Sequence, residues 1–481
     1  MSYGRTRIYT NTEVITDENI RANLRDAYET HQKNRNDIKK LWDYYRGKTE
    51  ILTKKKEVRE DINHKICENR AYEVVSFHKG YTFGEAIQYI RRENGQNTAV
   101  SDDVLATDIN ALNGYMADAD KAACDNELAE WLYVAGTSYR LTLPNKKWGM
   151  EDDEPPFNVY SLDPRNTFVV YYAGVSKKPV MAVTYVTNDD NTITYSVYTE
   201  DKFYEIKADE IIRSEKHSLG AIPIIEYPAD NPRLGVFEIV VPLLNALNEL
   251  QSNRLDDVVQ YVNSFLAVLG GQLDEETYNK LNDWKTLCLP EGTDAKYLSV
   301  AMQQADIQTL KDDLYQSILT ICGVPNRNGG SSTSDTGSAV IMRDGWQSAE
   351  ARAKATELTF KKSEKLFLKL VLKILRDTVG TALKLTDIET HFTRRNYENI
   401  ASKSAVLIAM LNNPKIHPEL AFAHCGMFAD AESAYLQSMA WWNEQKKQEE
   451  KELQDYVKSL DEGDEDEESV QDDRQSDSVS E

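Results

Sequence analysis

Apolar residues recur at helical spacing through several long stretches, with one block of alternating and β-branched runs between them. Over 17–46, Ile20, Leu24, Tyr28 and Leu41 are spaced for one face of a polar helix, and Gly47 is placed to cap its end. The spacing predicts a second helix over 69–79. It predicts a third over 104–135, where Leu105, Ile109, Leu112, Met116, Ala119 and Ala123 share a face. Short strands are expected at 138–143, 158–161, 167–171, 180–186, 193–198 and 203–206, parted by turns such as Asn188-Asp189-Asp190-Asn191. Helices followed by an antiparallel sheet make an α+β chain, mainly helical.

After the turn Pro228-Ala229-Asp230-Asn231-Pro232 the pattern is helical again to about Val268. Leu243, Leu247, Leu250, Val258, Val262 and Phe265 form its apolar stripe, and Asn248, Glu249, Arg254, Asp256, Asp257 and Gln260 its polar faces. From Pro242 to Leu266 this helix would be roughly 38 Å long. A mixed segment over 270–300 carries strand-like TLCLP and KYLSV. A helix over 306–321 follows, with Ile307, Leu310, Leu314, Ile318 and Ile321 on one face. A polar run then leads into a proline-free helical pattern over 339–379, and 401–460 is helical. No internal repeat is visible.

Charge and cysteine usage narrow the function. The 481 residues carry a formal net charge of −23, which opposes tight binding of DNA in a basic groove but not a protein that DNA slides past. Much of the excess lies between Asp461 and Glu481, where acids mixed with Ser and Gln predict a solvated, disordered tail. Five scattered cysteines with no C-x-x-C pair suit a reducing compartment. No signal core and no apolar run of membrane-spanning length is seen, so a soluble intracellular protein is expected.

Catalytic chemistry finds no support. Gly47-Lys48-Thr49 resembles the end of a phosphate loop, but the motif needs Gly where Trp42 stands and a strand where the pattern is helical. His417, His424 and Cys425 lack a fourth ligand for zinc. Asp102-Asp103, Asp152-Asp153 and Asp256-Asp257 read as solvated faces. No catalytic residue, metal or cofactor is expected. Up to Arg376 the helix after the polar run is locally basic by about five charges, Arg343, Arg352, Lys354, Lys361, Lys362, Lys365, Lys369, Lys373 and Arg376 outnumbering Asp344, Glu350, Glu357 and Glu364. Those cations would pair with acidic neighbours, or face phosphate in its upper part, with Arg343, Arg352 and Lys354 as DNA-facing or intersubunit positions.

Ordered along the chain are several short segments: LWDYYRGKTEIL, then Asn63 to Asn69, then Gly80-Tyr81-Thr82-Phe83-Gly84. Further on come Gly235-Val236-Phe237-Glu238 leading to Leu243, Asn248 and Ser252. After them stand Cys322-Gly323-Val324-Pro325-Asn326 with a Ser/Gly loop ending Gly337-Ser338-Ala339, and His391-Phe392-Thr393-Arg394-Arg395-Asn396. Together these resemble the portal proteins of tailed double-stranded DNA bacteriophages, of the type found in long non-contractile-tailed phages of Gram-positive hosts. Cys322 stands where that family usually has Ser, and Arg395 is an added basic residue.

The resemblance implies the portal fold: an N-terminal arm (1–16), an α+β wing (17–235), a first stem helix (236–268), a small α/β clip (269–304) and a second stem helix (305–324). Beyond these it implies a tunnel loop (325–339), a long helix returning to the wing (340–400), a helical crown (401–460) and the acidic tail (461–481). The tunnel loop would present Asn326, Arg327, Asn328, Gly329, Gly330, Ser331, Ser332, Thr333, Ser334, Asp335, Thr336, Gly337 and Ser338 to the DNA channel. It also implies a homo-oligomeric ring of twelve copies at one capsid vertex of the virion, assembled in the host cytoplasm. Its partners would be the terminase large subunit, a head-tail connector or adaptor protein, and the major capsid and scaffolding proteins. Double-stranded DNA would pass through it without tight binding, and no membrane would be involved. The competing reading is a helical scaffolding or adaptor protein of the virion without a DNA channel, which sustained heptads would favour and these short stripes do not.

Overall fold

The computed structural model describes residues 3–57, 60–92, 102–150, 154–262, 265–269, 294–298, 304–326, 345–394, 400–428 and 431–472. The chain divides into two compact units, Met1–Arg394 and Arg395–Glu481.

In the first unit, α1 (Ile20–Tyr45) ends where Gly47 takes φ 77, and its last turn closes through Gly47 N–H to Tyr44 O at 3.0 Å and Lys48 N–H to Asp43 O at 2.7 Å. This is a Schellman cap, and Gly47 serves the helix end rather than a nucleotide. Helix α2 spans Arg70–Phe83. The single helix expected over 104–135 is two, α3 (Asp102–Asp118) and α4 (Lys121–Ala135), because Asp120 adopts a left-handed φ of 50. The apolar spacing continues across that break, so periodicity alone does not reveal it.

The strands form two main sheets rather than one. Six strands run in the order β1 (Ile8–Thr10), β5 (Thr167–Tyr172), β6 (Pro179–Thr187), β7 (Ile193–Tyr198), β8 (Lys202–Lys207) and β9 (Glu210–Lys216), with β1 parallel to β5 and the rest antiparallel. Three more run in the order β10 (Ile224–Pro228), β3 (Thr137–Pro144), β4 (Phe157–Leu162). Ile20, Leu24 and Ala27 of α1 pack on Phe168, Val170, Met181 and Val183 of the larger sheet, while Tyr139, Val169, Ala182 and Ile224 fill a small cluster of their own. A short ladder pairs β2 (Gln88–Arg91) with β13 (Ile388–His391), returning the chain after residue 378 to its N-terminal half.

The helices carry the main core. Helix α5 spans Val241–Val262, α6 Gln304–Cys322 and α7 Trp346–Thr378. Phe360, Phe367, Leu368, Val371 and Leu375 of α7 meet Phe83, Leu128, Leu132 and Tyr227 there. Helix α5 stops before Phe265, which lies instead in β11 (Phe265–Leu269), paired antiparallel with β12 (Asp294–Leu298). The strand-like TLCLP lies outside the described residues.

The apolar face of α5 is also rotated from the predicted one. Val241, Leu244 and Leu247 are buried, but so are Asn248, Ser252 and Asp256. The pairing of Asp256 with Asp257 as a solvated face is therefore corrected: Asp256 is buried and Asp257 exposed.

In the second unit, α8 (Ile400–Leu411), α9 (Pro418–Cys425) and α10 (Ala431–Asp472) form a helical group. His417 caps α9 by accepting from the Glu419 N–H at 3.3 Å, which is a structural use of that ring. Helix α10 runs past Leu460 into the acidic stretch expected to be disordered.

Candidate portal site and its framework

Of the residues expected to line a channel, Asn326 is described, and Arg327 through Ser338 and Arg343 lie outside the described residues. What the structure gives is how the two flanks, Asn326 and Gly345, are held.

The first flank is the end of α6. Gly323 N–H donates to Thr320 O at 3.1 Å and Val324 N–H to Leu319 O at 2.9 Å, with Gly323 at φ +71. This again is a Schellman cap, followed by Pro325, which cannot continue a helix. A Cβ on Gly323 would stand 2.3 Å from Cδ of Arg352. Arg352 thus lies against the C-terminal turn of α6, where a cation is favoured by the helix dipole. The buried His78 ring completes the anchorage through a 2.9 Å contact between Nε2 and Cys322 O.

The second flank is the start of α7. Trp346 packs beside Phe77 and Tyr81, each with ring centroids 6.0 Å away. The Tyr81 hydroxyl donates to Glu350 at 2.8 Å, and Arg394 binds the same carboxylate at 2.9 Å as well as pairing with Glu357. Lys354 reaches Glu350 at 3.5 Å on the exposed side. His78 at one flank and Phe77 and Tyr81 at the other all belong to one turn of α2. Cys322 and Trp346, on either side of the undescribed segment, are therefore both held at one turn of α2.

Burial sets the electrostatics behind this framework. Burial pushes His78 and His31 down to about 4, so both rings are neutral. Deeper in, α7 carries Glu364 fully into the core. Its carboxylate accepts from Tyr89 at 2.5 Å, Tyr227 at 2.8 Å and Arg140 at 3.0 Å, and meets Lys121 at 3.0 Å. Burial would raise its pKa, but Lys121 and Arg140 outweigh that and hold it down to about 2. Asp125, fixed by Lys121 at 2.5 Å and by Arg140, balances the second cation; burial pushes this carboxyl up. The four charges sum to zero and every partner is another member of the cluster or a tyrosine, so the group locks α4, β3, β10 and α7 together and offers no free acid or base. Sequence reading missed it because Glu364 sits among exposed lysines of the same helix.

A second set of polar contacts ties the expected stem to the wing. Asn248, Ser252 and Asp256 stand four residues apart on α5 and accept from the backbone N–H groups of Glu68, Ile66 and His64 at 3.0, 2.9 and 2.8 Å. The spacing matches physically: four helical residues rise about 6.0 Å, and two extended residues about 6.6 Å. Asp256 also binds Lys56 at 2.5 Å and the His64 ring at 2.7 Å. Burial opposes ionisation, but these bonds hold its carboxyl well below the usual range. The Asn63–Asn69 and Asn248/Ser252 segments singled out in the sequence are thus partners.

Among the described residues no group of three or more His, Cys, Asp or Glu side chains is placed to hold a metal ion, and no helix is long and apolar enough to cross a membrane. Cys67, Cys124, Cys322 and Cys425 are unpaired thiols.

The chain resembles two solved assemblies, each at 13% identity and TM-score 0.43. One is the neck of a native gene transfer agent particle computed with C12 symmetry, matched over 82% of this chain and 94% of that one. The other is the virion of a native gene transfer agent particle, matched over 83% and 92%. No curated protein matches the sequence. The family profile described as "Phage portal protein, SPP1 Gp6-like" matches residues 25–452, nearly the whole chain. The chain belongs to that family of phage portal proteins.

Proposed function

We propose that this portal protein works as one subunit of a twelve-membered ring at a single capsid vertex, through which the terminase packages DNA and through which DNA later leaves. Connector and tail proteins would attach to the same ring. Its role is that of a conduit and not a catalyst. The wing, stem, clip and crown would follow the boundaries expected from the sequence, with 325–339 as the tunnel loop. Arg343, Arg352 and Lys354 would lie near DNA or a neighbouring subunit.

The observation that carries this reading is the double anchorage on α2. One turn of α2 holds both flanks of a segment rich in Gly, Ser and Thr, a composition suited to a functional loop carried on a fixed scaffold. The net charge of −23, repeated around a ring, also suits passage, because each neutralised phosphate would add affinity and therefore drag. The purified full chain should form rings with a central hole under the electron microscope and show no ATP hydrolysis. The double variant Ser332→Trp/Thr333→Trp should assemble and bind terminase, yet package little DNA. Full packaging would place the segment away from the channel, and absence of rings in the unaltered protein would favour a scaffolding role.

A further inference from the structure

Strand β13 is paired on one side only, with β2. The far side of β2 is closed by α3, whose Asn113 side chain accepts from the Tyr89 N–H at 3.1 Å and donates to the Tyr89 carbonyl at 2.8 Å. Among the described residues nothing comparable covers the far side of β13. The Arg92 N–H donates to Asp387 O at 3.0 Å, which with the register Ile388↔Arg91 fixes the alternation of the ladder. Glu389 and His391 turn their backbone groups to β2, and Ile388 and Thr390 turn theirs to the open side. Arg92 takes one of these, donating to Ile388 O at 3.1 Å. The Ile388 N–H and both backbone groups of Thr390 are left for a further strand.

A groove of about 310 Å³ follows that open side, between Ile388, Glu389 and Thr390 on one wall and α7 on the other, with no residue of β2 in its lining. Leu358, Leu368, Leu385 and Ile388 make it partly apolar. Arg92, Lys361, Lys362 and Lys365 surround it with positive charge against Glu389. Residues 358, 361, 362 and 365 share one face of α7 by their spacing, so three lysines crowd one stripe. The acids of α7 that could answer them are engaged elsewhere: Glu364 in the buried cluster, Glu350 and Glu357 with Arg394. Among the described residues none of the four groove cations has an acidic partner; Lys361 lies 5.8 Å from the Phe392 ring centroid and Arg92 holds its carbonyl.

An acidic segment in extended form meets all of these features. Its backbone would lie about 4.8 Å from β13 and pair with it. Alternate side chains point to opposite sides of a strand, so carboxylates reach the lysines while intervening apolar residues cover Leu358 and Leu385. A DNA phosphate would use the cations alone. It has no N–H to give the Thr390 carbonyl and gains nothing from the leucines.

We propose that this groove docks an acidic, extended segment of another polypeptide, which joins β2 and β13 as a third strand. This is independent of the channel reading. The probe is a fluorescein-labelled peptide of alternating Glu and Val, titrated into the full chain at low salt and followed by anisotropy. It should bind and slow hydrogen exchange at Ile388 and Thr390, leaving the His391 amide, already turned to Gln88, unchanged. The same peptide N-methylated at alternate residues keeps its charge but loses the N–H groups for the edge, and should bind about tenfold more weakly. Lys362→Glu/Lys365→Glu changes two exposed side chains, so the fold is kept, and should weaken the unmethylated peptide about tenfold as two attractions become repulsions. No binding, equal binding of the methylated peptide, unchanged exchange at Thr390, or full affinity in the double variant would each overturn the proposal. Tighter binding of a short DNA duplex, lost in the same variant, would assign the face to nucleic acid instead.

Discussion

Gly323 shows how one residue can be required by two neighbours. Its φ of +71 closes α6, and its bare Cα leaves room for Arg352. Gly323→Ala should destabilise the protein by about 1–2 kcal/mol, the cost of a left-handed non-glycine residue. Because Arg352 is exposed and can swing away, Arg352→Ala in the same background should restore little. Denaturant midpoints of the two variants would separate backbone strain from overlap. His78 and His31 add a pH dependence whose sign is fixed. Their folded pKa values of about 4 lie below the ordinary value near 6.5, so the unfolded chain binds more protons between those limits. Stability should fall as pH drops from 6.5 toward 4, with each ring costing about 1 kcal/mol by pH 5.5. His78→Gln should lose less stability than the unaltered protein between pH 7.5 and 5.5, measured by chemical denaturation.

Helices and strands were more legible than the polar contacts that lock them. The six expected strands were found because alternation survives in the sequence. The break at Asp120 and the end of α5 before Phe265 were not, since apolar residues continue at helical spacing through both. The polar edge of α5 was misread for a different reason. Whether Asn248, Ser252 and Asp256 meet solvent depends on an extended segment far away in sequence, at 64–68, and local spacing says nothing of it. The glycine cap at 47 was readable, because backbone conformation demands that residue locally. Ser252→Ala tests the contact with the extended segment. It leaves the half-buried Ile66 N–H without its acceptor and should cost about 1 kcal/mol. Hydrogen exchange should rise at Ile66 before the flanking Glu68 and His64 amides. Uniform exchange at all three would show that the rungs do not act separately.

For the whole molecule, the end of the chain and the loop invite opposite expectations. Along α10, Trp441, Trp442 and Leu453 are exposed. Beyond Leu460 the sequence is acidic and nearly free of apolar residues, so it offers little to pack. Cutting after Leu460 should therefore leave assembly intact, as read by sedimentation; monomers would reveal a contact made by the tail.

The anchorage of Cys322 and Trp346 on one turn of α2 separates what holds the two flanks from what lies between them. Closing a loop whose ends are already fixed depends only weakly on its length, each doubling adding about 0.6 kcal/mol. Under the proposed function, residues added or removed between these flanks would leave His78, Trp346 and Glu350 with their partners. Under the proposed function, the bore of the conduit is then a parameter separable from the fold. A family could retune that calibre for differently hydrated or more tightly wound cargo without redesigning the body that carries it.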